Sequence, residues 1–226
     1  MKLLAIRLDS AGDVLMCSPA LRALHEHGHR VTLLTSTAGA LAGERIDGVS
    51  ELIRWAAPWM KASAPTAPNQ VPAMAALLRQ QGFDGAVIFS SYSQSPLPAA
   101  LLCQMAGIPL RLAHCRENPY QLLTHWVRDS EPGQHLRHEV ERQLALVAEL
   151  GCRPSSIRLS VRIDEGDRNA ACSALREVAH RCWRRLDIDA SGRQCAGAAL
   201  SGSRLATSCA FADDACPAAP GICRWQ

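Results

Sequence analysis

Ala86-Val87-Ile88-Phe89 is apolar at every position, and it constrains the fold of this 226-residue chain more than any other feature. A strand without polar alternation has to be covered on both faces, as in a parallel sheet sandwiched between helices. The rest of the first 150 residues agrees. Residues 2–8, 30–35, 51–55 and 109–113 are further short strands. Between them lie helical spacings: Val14, Leu15, Ala20, Leu21 and Leu24 in a first helix that passes Pro19 and closes at Gly28, then residues 38–43, 72–82, 97–106 and 136–150. Residues 62–71 are Pro- and Ala-rich and read as a loop, and residues 156–163 as a strand leading out. Short strands alternating with helices predict an α/β domain: a Rossmann-like parallel sheet with helices on both faces.

We expect that domain over residues 1–163, a connecting helix over 164–181, and an irregular segment over 182–226. A chain of this length buries roughly 70% of its unfolded surface, enough for a core without staples. Aromatic residues make up only 4%, so Leu, Val, Ile and Ala must fill that core. The formal net charge of +3, with no block of like charge, argues against a nucleic-acid partner. Arg7 interrupts the first apolar run, so the start does not read as a signal peptide. Residues 85–110 carry no charge, yet Pro96, Pro98, Pro109 and a cluster of serines break a membrane-spanning reading. A soluble, cytoplasmic protein is the expectation.

From Cys182 the pattern disintegrates into Ala, Gly, Ser, Cys, Arg and Pro without a sustained period. Five of the ten cysteines fall there, and none pairs in a C-x-x-C spacing. Two readings compete, a disordered tail and a coding frame that slipped near residue 182. Out-of-frame GC-rich codons yield this mixture, which favours the second. The earlier cysteines, Cys17 among them, sit singly in apolar surroundings, as reduced thiols do.

Ligands of open parallel sheets bind beyond the carboxyl ends of the strands. Asp9-Ser10-Ala11-Gly12-Asp13 is such an end, followed at once by a helix. Gly12 would let the backbone approach a ligand, and the helix start offers amides to an anion. A single glycine is neither a dinucleotide fingerprint nor a P-loop. An aspartate at a helix start is by itself most often a cap.

Residues 6–24 (Gly12-Asp13-Val14, then Ser18-Pro19-Ala20-Leu21) closely resemble the opening of glycosyltransferase family 9, the ADP-heptose:lipopolysaccharide heptosyltransferases. Ala57-Pro58-Trp59, Gln94 to Ala99, Ala106-Gly107-Ile108-Pro109 with Arg111, and His138 to Arg142 are similar to the same family, in order, over about residues 1–180. The resemblance implies the acceptor-side, N-terminal domain of a GT-B enzyme that transfers heptose from ADP-heptose, with inversion, to the lipopolysaccharide inner core. It implies Asp13 as general base, Ser10 and Gly12 as donor or acceptor contacts, and no metal or other cofactor. Peripheral contact with the inner membrane would follow from such an acceptor. The family's donor-side motifs are absent after residue 182, so transfer is expected to be impaired. A sugar-binding module or remnant without turnover is the alternative.

Lys61 and Arg116 are candidate contacts for phosphates or acidic sugars of the acceptor. Glu117 and Asn118, before Pro119, read as turn residues. His25, His27 and His29 complement a helix C-terminus more readily than they bind metal. His138 and Arg142 are spaced to share a helix face. Trp59 and Trp126 read as packing residues rather than sugar platforms.

Overall fold

The computed structural model describes residues 1–60, 67–133 and 136–185. They fall into two units, residues 1–162 and residues from 163 onward. In the first, one parallel sheet is formed by β1 (Lys2–Arg7), β2 (Arg30–Thr35), β3 (Glu51–Arg54), β4 (Gly85–Ile88), β5 (Leu110–Cys115) and β6 (His125–Arg128). Its order is β3-β2-β1-β4-β5-β6, with every pairing parallel. This is the Rossmann-like layout expected, with the direction of winding reversing between β1 and β4.

Strand parity decides which helices cover which face. Leu4, Ile6 and Leu8, with Ala86 and Ile88, pack against α4 (Gln70–Gln81) and α5 (Leu97–Met105). Leu3 and Ala5, with Val31, Leu33 and Val87, pack against α1 (Ala11–Met16), α2 (Ser18–Glu26) and α6 (Glu139–Ala148). Each fully buried Leu of these layers contributes about 2 kcal/mol relative to exposure. Between β2 and β3 lies α3 (Thr37–Gly43), capped by Ser36, whose Oγ accepts from the Gly39 amide at 2.9 Å.

Four expectations are corrected. The first helix is two, because Pro19 cannot donate inside a helix but suits a first turn, and the chain restarts at Cys17 to place it there. Helix α4 starts at Gln70, inside the expected loop, of which residues 62–66 lie outside the described residues. Strand β6 was not foreseen, since His125-Trp126-Val127-Arg128 lacks an apolar run and is an edge strand, defined by pairing with β5. The expected strand at 156–163 does not join the sheet. Its alternation is real, but Ile157 is 68% exposed and the backbone follows α2 instead: Arg22 donates to the Ser156 carbonyl at 2.7 Å and Ser155 Oγ to Glu26 at 2.6 Å.

The second unit contains α7 (Glu165–Arg185), started by Asp164 and Asp167, each of whose carboxylates accepts from the other's amide at 2.8 and 3.1 Å. The helix runs on through residues 182–185, where the irregular segment was expected to begin, and the rest of that segment, from residue 186, lies outside the described residues. Among the described residues no helix is long and apolar enough to cross a membrane.

Helix α3 lies so close to α1 that a Cβ on Gly39 would stand 2.2 Å from Thr35 Oγ1 and 2.9 Å from Val14 Cγ2. Gly39→Ala is therefore expected to cost about 2 kcal/mol, a drop of several degrees in Tm. Gly12→Ala, whose Cβ would meet only Ser10 Oγ at 3.7 Å, should stay within about 0.5 kcal/mol of the parent. Thermal unfolding of the two variants checks the contrast.

Candidate active site

Between Lys2 at its start and Arg7 at its end, strand β1 is apolar. Arg7 is 1% exposed, on the face covered by α1 and α6. A buried guanidinium requires partners, and it has three carboxylates. Its nitrogens lie 2.8 Å from Asp9 Oδ2, 3.1 Å from Asp13 Oδ1 and 2.9 Å from Glu139 Oε1. The Asp9 contact is an ion pair without hydrogen-bond alignment; the other two are aligned hydrogen bonds. Three negative charges around one positive leave this end of the sheet net acidic.

Asp13 belongs to a capping box on α1. Its Oδ2 accepts from Ser10 Oγ at 2.6 Å and from the Ser10 amide at 3.1 Å, and Ser10 Oγ receives the Asp13 amide at 3.4 Å. The carboxylate is nonetheless 40% exposed, at the carboxyl edge of the sheet. Partial burial pushes its pKa up, but the Ser10 hydrogen bonds and the Arg7 charge outweigh that and hold it below the ordinary carboxylate value. Ser10 is thus engaged by Asp13, and the helix start already holds its own anion. Gly12 adopts helical backbone with room for a Cβ, so nothing in the chain's own packing demands glycine there.

Asp9 is held from two further sides. Ser36 Oγ donates to its carbonyl at 2.6 Å, and Gln94 Nε2 to its Oδ1 at 2.6 Å. Beside it a cleft of about 570 Å³ opens between the ends of β1 and β4, lined by Asp9, Ser90, Gln94, Trp59, Met60 and Phe89 among others. This is the reversal point where open α/β sheets hold ligands. Asp13 is adjacent to the cleft through Arg7 but is not part of its lining.

A second buried cation supports the far wall. Arg142 of α6, 1% exposed, pairs with Asp129 at 2.7 Å and with Glu131 at 2.7 Å, and Arg137 adds a contact to Glu131 at 2.5 Å. Arg142 Nε and Gln143 Nε2 also donate to the Ser90 carbonyl, at 2.9 and 3.2 Å. His138 caps α6 by accepting from the Val140 amide, so the expected shared face with Arg142 resolves into a cap and a buried ion pair.

The other candidates find local tasks. Arg116 donates to the Tyr92 carbonyl at 2.8 Å and remains exposed beyond β5. Lys61 lies outside the described residues. Asn118 accepts from the Tyr120 amide at 2.9 Å, a turn as expected, while Glu117 receives Ser95 Oγ at 2.5 Å. Arg111 ties the β5–β6 connection to itself through the Leu122, Gln121 and Ile108 carbonyls. His27 Nδ1 meets the Ala23 carbonyl at 2.8 Å, and the described residues contain no grouping of His, Cys, Asp and Glu that would hold a metal. Burial pushes the Cys17 thiol up to about 12, which makes it a packing residue and not a nucleophile.

Sequence reasoning missed Arg7, Asp9, Ser90 and Gln94. For Arg7 a signal existed: a charge inside a strand covered on both faces has to be neutralised by neighbours.

A parallel sheet whose reversal point opens on a cleft, beside a carboxylate at a helix start, defines a Rossmann-like domain. The chain belongs to the glycosyl transferase 4-like domain family, whose model matches residues 17–150. Solved structures with the same fold include Escherichia coli ADP-heptose lipopolysaccharide heptosyltransferase II (TM-score 0.56, 23% identity, 77% of this chain and 50% of that one). E. coli heptosyltransferase WaaC with ADP-2-deoxy-2-fluoro heptose is similar at TM-score 0.54 and 20% identity, over 69% of this chain and 50% of that one. A glycosyl transferase family 9 protein from Veillonella parvula is similar at TM-score 0.54 and 16% identity, over 73% of this chain and 45% of that one. The chain spans about half the length of these structures. No curated protein matches it.

Two outcomes test the electrostatics. Arg7→Met would leave three carboxylates without their cation and is expected to cost about 3–5 kcal/mol, read by chemical denaturation. The second concerns His114, 2% exposed, whose Nε2–H donates to the Arg142 carbonyl at 3.0 Å. Burial, with the nearby Arg142 charge, pushes its pKa down to about 4. An unfolded histidine binds its proton near pH 6.5, so the unfolded state holds more protons between those values and stability falls as pH drops through them, by on the order of 3 kcal/mol. Asp13, Asp129 and Glu131, all held below their ordinary values, extend the loss at lower pH. Tm should therefore decline steadily on acidification, and His114→Gln should flatten the upper part of that decline.

Proposed function

We propose that residues 1–162 are the acceptor-side domain of a glycosyltransferase of the heptosyltransferase type, with Asp13 as general base. The observation that carries this reading is the half-exposed Asp13 carboxylate, fixed by Ser10 and Arg7 at the carboxyl edge of the sheet in a chain of the glycosyl transferase 4-like family. The same place supports it in the order of motifs from Gly12-Asp13-Val14 onward.

In the proposed reaction an acceptor hydroxyl attacks the anomeric carbon of ADP-heptose from the face opposite the leaving group. The new C–O bond forms as the sugar–phosphate bond breaks, ADP departs with the electron pair, and configuration inverts. The hydroxyl proton passes to Asp13. A carboxylate held below its ordinary pKa is a mild base, suited to a proton that leaves late, when the attacking oxygen has become acidic. Charge developing on the diphosphate calls for amides or cations. The acidic ring around Arg7 is unsuited to that task, so the donor phosphates belong elsewhere. Ser10 orients the base, and Gly12 leaves open space on the α1 surface beside it for the acceptor. Arg116, on the rim beyond β5, and Lys61 would meet acidic groups of a lipopolysaccharide core, and such an acceptor would bring a cytoplasmic enzyme to the inner membrane surface.

The test is a graft of residues 1–162 onto the C-terminal half of E. coli heptosyltransferase II, assayed with labelled ADP-heptose and a heptose-deficient core acceptor. Transfer is expected, and Asp13→Ala should lower kcat by about 100-fold or more with acceptor affinity little changed. Undiminished transfer by Asp13→Ala would remove Asp13 from the role of base. Acceptor binding without any transfer would favour the non-catalytic sugar-binding reading.

A further inference from the structure

We infer that the cleft at the β1–β4 reversal is the seat of one uncharged sugar ring of the acceptor, its apolar face against Trp59 and its hydroxyls on Asp9 and Ser90. The inference rests on the reading of residues 1–162 as an acceptor domain, and it names the chemical class of sugar that this domain takes.

The cleft, at about 570 Å³, is within the range of small-ligand sites. Its walls are largely apolar: Leu8, Phe89, Met60 and Pro96 surround a few polar groups. That is the composition suited to a pyranose, which carries C–H groups on one face and hydroxyls around its edge. Trp59 supplies the broad apolar surface. Its ring is held edge-on against Trp55, with centroids 5.2 Å apart and planes at 79°, so its orientation is set before a ligand arrives.

Among the described residues that line the cleft, Ser90 carries the buried polar atom that the fold leaves unpaired. It is 6% exposed, and its Oγ has no hydrogen-bond partner among the described residues. Leaving a buried hydroxyl unpaired costs about 1–3 kcal/mol, a cost that a ligand hydroxyl would remove. Just beyond the end of β4, Ser90 lines the cleft together with Ile88 and Phe89. Its carbonyl is clamped from α6 by Arg142 and Gln143, so the hydroxyl is presented from a fixed backbone.

Charge selects the kind of sugar. Among the described residues that line the cleft, Asp9 is the only charged one. Behind it Arg7 is outnumbered by Asp9, Asp13 and Glu139. A sugar carboxylate or a phosphate placed here would face a net negative wall. A neutral hydroxyl would instead donate to a carboxylate already aimed by Gln94 at 2.6 Å, a charge-assisted hydrogen bond. The acidic groups of an acceptor therefore remain outside this cleft.

Calorimetric titration of the whole chain with two probes tests this: methyl α-mannopyranoside as the neutral ring, and the methyl glycoside of 3-deoxy-octulosonic acid as the acidic one. The neutral glycoside should bind at least about tenfold more tightly. Trp59→Ala should weaken it about tenfold and Ser90→Ala about fivefold, while Trp59→Phe, which keeps an aromatic face, stays within about threefold. Asp9→Asn should raise affinity for the acidic glycoside, a gain that damage to folding cannot produce. Equal or tighter binding of the acidic probe, no binding of either, indifference to Trp59→Ala, or competition by ADP for the neutral site would each overturn the inference. Asp13-dependent transfer by the graft alongside a non-selective cleft would sink this subsite alone. A selective cleft in a graft that never transfers would sink the transferase reading and leave the subsite standing.

Discussion

A guanidinium removed from water at the end of the central strand sets the terms for the rest of this domain. Arg7 is fully buried, and a cation there is tolerable only if opposite charges come to it with good geometry. They come from the loop after β1, from the first turn of α1 and from the start of α6. One side chain thus ties the turn that follows its own strand to a helix far along the chain, with Glu139 lying 132 residues from Arg7. Each carboxylate is also bound elsewhere: Asp9 by Gln94, Asp13 by Ser10, Glu139 by Gln143. The arrangement is a connected polar network within an apolar sandwich, where partial satisfaction would be costly.

That network joins the two functional proposals. The carboxylate proposed as base and the carboxylate in the cleft share one guanidinium, so the chemistry and the seat of the ring are held in one frame. The Arg142 cluster does the equivalent on the β4 side, by clamping the Ser90 backbone. Between them lies the sheet's reversal point, where the helices that follow β1 and β4 go to opposite faces and leave a crevice. Membership of the glycosyl transferase 4-like family is what turns the proposal for this crevice toward sugar transfer. Under the proposed function, the excess of acid over base around Arg7 suits an acceptor hydroxyl and not a donor diphosphate.

Much of the architecture was legible because parallel strands leave a strong trace. Residues 86–89 have no polar position, and Gly28 and Gly82, both with positive φ, mark helix ends. Motif order singles out Asp13, whereas composition and periodicity alone make it a cap, and a capping box with Ser10 is what it forms; its role as base belongs to the proposal. The misreadings have physical causes. At 156–163 an alternating pattern described a strip lying along α2, since alternation reports extended backbone and not what it pairs with. At β6 an edge strand was stabilised by its neighbour and not by its own apolar content. Trp59 does pack as expected, against Trp55 and the core, but that it also lines the cleft is not written in its local sequence, where a cleft wall and a core look alike.

By itself the sequence determined the sandwich of helices about a parallel sheet, the turn that carries Asp13, and the kinship of that turn. These are local properties, written in the spacing of apolar residues and in glycines and prolines at fixed offsets. Only the tertiary structure decided that Arg7 gathers three carboxylates, that the Ser90 hydroxyl is buried without a partner among the described residues, and that Asp9, not Asp13, lines the cleft. The physical reason is that charge pairing and desolvation depend on distance in space. In a sheet ordered β3-β2-β1-β4-β5-β6, residues from the first strand and from a helix more than a hundred positions later become neighbours.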